Sequence, residues 1–153
     1  MATLKERLRA DLSASMKARD TVRTRTIRMA LTAVSNEEVA GKTARELSDD
    51  DVIAVLTKEA KKRRDAAEAF AGAGRDDRAA AERAEGEVLA GYLPAQLSDE
   101  DLAGIVGAAI SETSVSGMSA MGQVMKAVRP QVAGRAEGAR VAAEVRGQLG
   151  AAG

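Results

Sequence analysis

The sequence predicts an all-α protein, and three observations carry that prediction. Among 153 residues there are 33 alanines, the residue with the best helix propensity, while Leu, Ile, Val and Phe together supply only 29. Apolar residues recur at steps of three and four, and no alternating run marks a strand of consequence. The third observation is charge: 23 basic residues balance 23 acidic ones. A chain this poor in large apolar side chains borders on disorder only if it also carries a large net charge, so balanced charge with abundant alanine points to closely packed helices.

Thr3 with Glu6 reads as a capping box ahead of Leu4, Leu8, Leu12 and Met16, a first helix ending near Arg19. Asp20 caps a second, on which Ile27, Ala30, Leu31 and Val34 form a stripe that fades at Val39-Ala40-Gly41. Ser48 starts a third, with Asp49, Asp50 and Asp51 against the positive end of its dipole. Its seam is Ile53, Leu56, Ala60, Arg63, Ala67 and Phe70, with one basic interruption. Gly72 and Gly74 stop it. A fourth helix is expected from about Asp76 to Leu93, with Ala81, Ala84, Val88 and Gly91 on one side, and its glycines mark the segment expected to bend.

Pro94 closes the long N-terminal part. Beyond it, Ser98 caps a helix carrying Leu102, Ile105, Val106, Ala109 and Ile110, and Ser119 is expected to cap a short one with Met121, Val124, Met125 and Val128. A loop containing Pro130 and Gly134 leads to a last helix with Val141, Ala142, Val145 and Leu149, and the tail from Gly150 to Gly153 is expected to fray. The organisation is an N-terminal helical domain of two antiparallel helix pairs over residues 1–94, followed by a small three-helix bundle over 95–153.

The missing residues exclude familiar chemistries. Without Cys there is no thiolate ligand or cysteine nucleophile, and without His the commonest metal ligand and general base are gone. The aspartates at 49–51 are explained by the helix start, so no metal, cofactor or catalytic residue is expected. The N-terminus does not read as a signal peptide, and no run approaches the roughly 20 apolar residues of a membrane span. A cytoplasmic protein without a membrane partner is expected. Phe70 and Tyr92 are the only aromatics, which excludes a platform stacking several bases.

The best binding candidates lie near Pro130. Gly122, Lys126 and Arg129, spaced by four and three, share the side of their helix away from the apolar stripe. Glycine admits close backbone approach, and Lys126, Arg129, Arg135 and Arg140 suit a phosphate backbone. The competing reading has Gly122 packed under a neighbouring helix and the cations merely solvated. Lys61-Lys62-Arg63-Arg64 encircles its helix and forms no single patch, Arg63 is expected to pair with Glu85 or Glu87, and Arg23, Arg25 and Arg28 read as dispersed surface charge.

Several motifs occur together in order: Leu56-Thr57-Lys58-Glu59 through Lys61-Lys62-Arg63-Arg64-Asp65, Gly74-Arg75-Asp76, Glu85, Glu87, Tyr92-Leu93-Pro94, Met121-Gly122-Gln123-Val124-Met125 and Gly134-Arg135-Ala136-Glu137-Gly138. This combination, spanning essentially the whole chain, resembles the YqeY family, also called the GatB/YqeY-domain proteins. The resemblance implies two helical domains like the tail of the B subunit of the glutamine-dependent aminoacyl-tRNA amidotransferase, a tail associated with holding tRNA. Family members are often labelled amidotransferase-like, or carbon–nitrogen ligases with glutamine as amide donor, but the glutamine-hydrolysing and phosphate-activating domains have no counterpart in this chain. The resemblance therefore implies an adaptor for tRNA or a tRNA-associated protein complex. Two alternatives remain: a protein-interaction module with no RNA role, and an accessory to glutamine-dependent amidation.

Overall fold

Helices begin where short polar side chains can satisfy their first amides. The structure is a computed structural model that describes residues 1–152, and every regular element among those residues is helical: α1 (Leu4–Lys17), α2 (Thr21–Glu38), α3 (Asp49–Gly72), α4 (Asp76–Ala90), α5 (Asp99–Thr113), α6 (Met121–Val132) and α7 (Gly138–Ala152). The Thr3 hydroxyl accepts from the Glu6 amide at 3.1 Å while the Glu6 carboxylate accepts from the Thr3 amide at 2.9 Å. Asp20 caps α2, and Ser48 and Ser98 cap α3 and α5. Leu47 and Leu97, each just before its serine cap, are buried in the same core cluster as Val52 and Leu102, four positions into their helices. This is a hydrophobic staple built twice from nearly the same residues, Leu-Ser-Asp-Asp-Asp and Leu-Ser-Asp-Glu-Asp.

Contacts separate the chain into one unit from Met1 to Leu93 and another from Pro94 onward. In the first, Leu8, Ile27, Ala30, Val34, Leu47, Val52, Leu56, Leu89 and Tyr92 form one buried cluster. α1 and α2 run in opposite directions, with Lys5 bonded to Glu38 and Ser15 facing Thr24 at 2.9 Å. Along α3 and α4, Arg63 faces Glu85 while Phe70 lies under Arg78, again an opposed register. The would-be Cβ of Gly86 is 3.8 Å from the Arg63 Cβ, so these helices approach closely there.

Three apolar stripes differ from the expected ones. Met16 is 50% exposed, because steps of four advance about 40° around a helix each time and carry the fourth member off the core face. Ser15 is buried in its place, seven residues after Leu8, and its hydroxyl donates to the Leu12 carbonyl. On α3 the buried positions are Val52, Leu56, Glu59 and Ala67, with Ile53, Ala60 and Phe70 only half-buried, because the seam includes a carboxylate that hydropathy counts as polar. On α4 the buried residues are Ala79 and Leu89, while Ala81 is exposed. α4 ends at Ala90 and runs unbroken through Gly86.

The second unit is more regular. Leu102, Val106 and Ala109 of α5 meet Val124, Val128 and Val132 of α6 and Val141, Val145 and Leu149 of α7. Ser119 does not cap α6. It lies in a 3-10 turn, Met118–Ala120, whose Ala120 is buried and occupies the cap position without a side-chain bond. Pro130 does not interrupt α6 either. The helix continues to Val132, since Val128 and Val132 lie on its buried stripe while Pro130 is exposed, where the missing amide frees only a carbonyl that water can reach. α7 runs to Ala152, and the last position of the expected frayed tail, Gly153, lies outside the described residues.

Candidate nucleic-acid interface

Val124, Val128 and Val132 turn one side of α6 inward, leaving Gly122, Lys126 and Arg129 exposed on the other. A Cβ at Gly122 would meet nothing within 4 Å, so no neighbouring helix occupies that position. Arg129 sits in the last turn of α6, where a cation is favoured by the helix dipole. Arg135 lies in the turn to α7, and its backbone is fixed: the amide donates to the Val132 carbonyl at 2.8 Å, and the carbonyl accepts from the Leu97 amide at 2.7 Å. Gly134, at φ 74°, supplies the left-handed residue this turn requires. Among the described residues, Lys126, Arg129 and Arg135 have no ion-pair partner.

Arg140 is placed differently. It donates to Asp99 Oδ1 at 2.8 Å and to the Leu97 carbonyl at 2.7 Å, tying the start of α7 to the start of α5. Its guanidinium is engaged within the unit, so of the four cations three present free heads to solvent.

The first unit spends much of its charge internally. Arg63 lies 3.3 Å from both Glu59 and Glu85, each of these side chains only 11–12% exposed, and it also contacts the sulfur of Met29. Lys62 adds a bond to Glu59 at 3.1 Å and Arg25 one to Glu85 at 3.0 Å. Of the two partners expected for Arg63, Glu85 is the one it takes. Tyr92 donates to Asp11 at 2.5 Å and accepts from Arg23 at 3.1 Å, while Arg7 lies 4.9 Å from its ring centroid. Burial, then the bond to Asp11, push its hydroxyl up to about 12.

One feature escaped the sequence. Arg25 and Arg28 are not dispersed with Arg23: they line an open groove of about 710 Å³ with Met16, Arg19, Thr21 and Thr24, whereas Arg23 turns toward Asp11 and Tyr92. The spacing of three between Arg25 and Arg28 was the available signal, but the groove also needs the corner between α1 and α2.

Among the described residues no group of three or more His, Cys, Asp or Glu is arranged to hold a metal ion, and no helix is long and apolar enough to cross a membrane. No curated protein matches the sequence. The family model described as Yqey-like protein does match, over residues 5–149, which takes in nearly all of both units. The chain belongs to the YqeY-like protein family.

Proposed function

We propose that this protein is a cytoplasmic, non-catalytic adaptor that holds tRNA, alone or within a tRNA-associated complex, through its second unit. Lys126, Arg129 and Arg135 contact phosphates, Gly122 lets the backbone of the RNA come close to α6, and Arg140 holds the scaffold on which Arg135 is displayed. The observation that carries this reading is the set of three exposed cations without acidic partners at α6 and the turn after it, in a unit whose fourth candidate cation is bonded internally. Such contacts position nucleic acid without reading its sequence, and the lack of aromatics nearby fits recognition by backbone and shape. The resemblance to the amidotransferase B-subunit tail supports tRNA as the RNA, and the absence of His and Cys supports a role without chemistry of its own.

The test is fluorescence anisotropy of labelled tRNA against the full chain and a K126E/R129E/R135E variant. The three positions are exposed, so the variant is expected to keep the parent's melting behaviour and bind tRNA at least about tenfold more weakly. Equal binding by parent and variant would show that these residues are not the interface.

A further inference from the structure

The groove between the end of α1 and the first turns of α2 combines two chemistries. Its lining carries Arg19, Arg25 and Arg28, and its surface is mainly carbon and includes the half-exposed Met16 side chain. Of the acids near it, Glu85 pairs with Arg25 and Arg63, and Asp20 caps α2 by accepting from the Arg23 amide, leaving the three arginines in excess. Arg25 uses its Nε on Glu85 and Arg28 one terminal nitrogen on the Met16 sulfur at 3.6 Å, so both keep donors, and Arg19 keeps all of its own.

Arg19 is also in an unfavourable backbone state. It follows the Ala18 cap of α1 at φ 58°, in a turn where the Asp20 amide bonds to the Ser15 carbonyl and the Arg19 amide to that of Met16. The same pair of bonds closes α3, but there the left-handed position holds Gly74. An arginine in this position carries a conformational cost that glycine would not.

We infer that this groove docks an acidic peptide segment of a partner protein, with carboxylates on Arg19, Arg25 and Arg28 and an aliphatic side chain on Met16. Charge complementarity selects an anion, and the planar guanidinium fork holds carboxylate and phosphate alike. The carbon surface selects among anions: a phosphate backbone would leave Met16 uncovered, and no aromatic lines the groove on which a base could stack. An unbranched thioether adapts to varied aliphatic side chains, as docking surfaces require.

The test is selection of displayed random twelve-residue peptides on the full chain, followed by anisotropy titration of the enriched peptides. Enriched sequences are expected to carry Asp or Glu on both sides of an aliphatic residue. They should bind R19E/R28E and M16S at least about tenfold more weakly than the parent, and K126E/R129E/R135E as well as the parent. R19G, which puts glycine where the backbone favours it and is expected to keep the parent's melting behaviour, should also bind more weakly. Peptides without that acidic and aliphatic bias, or with equal affinity for parent, R19G and M16S, overturn the inference. So does labelled tRNA whose affinity falls in R19E/R28E and R19G, which would assign the groove to nucleic acid. Failure of the second-unit interface is a separate result, since it is read from tRNA binding to the K126E/R129E/R135E variant.

Discussion

Tyr92 is the chain's single tyrosine and no tryptophan is present, so its ionisation can be followed alone by ultraviolet absorbance. Burial and the Asp11 bond raise it from 10.0 to about 12. Because the folded value lies above the unfolded one, the stability linked to this hydroxyl is fully present below pH 10 and is lost as pH rises through about 12. The absorbance titration of the folded chain is therefore expected to have its midpoint near 12 and to return to about 10 in denaturant, with D11N lowering the folded midpoint. A D11N midpoint equal to the parent's would contradict the pairing. At acid pH the sign reverses. The Lys5 bond lowers Glu38, and the Ser48 bond followed by that of Arg45 lowers Asp51, so their contribution is present above the usual carboxylate range and is lost as pH falls below it through their lowered values. Arg63 is the residue whose loss should cost most: R63M leaves Glu59 and Glu85 mostly buried, with only exposed Lys62 and Arg25 to compensate. A destabilisation of about 3 kcal/mol is expected in urea unfolding, against a smaller loss for E85Q.

The element in which sequence and structure diverge most is α6. Its stripe of Val124 and Val128 was legible, as were the caps Thr3, Asp20, Ser48 and Ser98, because both signals act over three or four residues. Its start was not, since a buried Ala120 after a 3-10 turn looks no different in sequence from a loop residue beside a capping serine. Its end was misplaced because the burial of Val132 outweighs a proline whose lost bond lies on the wet side. In α1 and α3 the helices were plain but their rotations were not. Ser15 and Glu59 are buried polar residues: Ser15 meets Thr24 only once α1 packs on α2, whereas Glu59 has Lys62 and Arg63 three and four residues along its own helix, a local pairing that a search for apolar stripes passes over. With open space around Gly122, G122A should stabilise the chain by about 0.5 kcal/mol, the small end of the glycine penalty for a position in the first turn, while weakening tRNA binding. Stabilisation with unchanged tRNA affinity would remove Gly122 from the interface.

The YqeY-like family and the all-helical architecture could be read from the sequence, the first from ordered motifs and the second from spacing and composition. The candidate site was legible where it depends on one helix: Lys126 and Arg129 are exposed because the valines opposite them are not. It was illegible where it depends on residues distant in sequence. Arg140 reads as a free cation until Asp99 and Leu97, more than 40 residues earlier, are brought beside it. The groove at Met16 and Arg19 reads as ordinary surface until α1 turns into α2. On the two proposals together, the second unit would offer its unpaired cations to phosphate and the first its arginine-rimmed, carbon-lined groove to an acidic peptide. The salt dependence of tRNA affinity tests the adaptor reading most directly, because each phosphate contact contributes roughly 0.7–0.9 to the log–log slope. The parent is expected to lose affinity with a slope steeper than about −2, and K126E/R129E/R135E to flatten that slope by about two. A parent affinity indifferent to salt, or a slope unchanged in the variant, would contradict it.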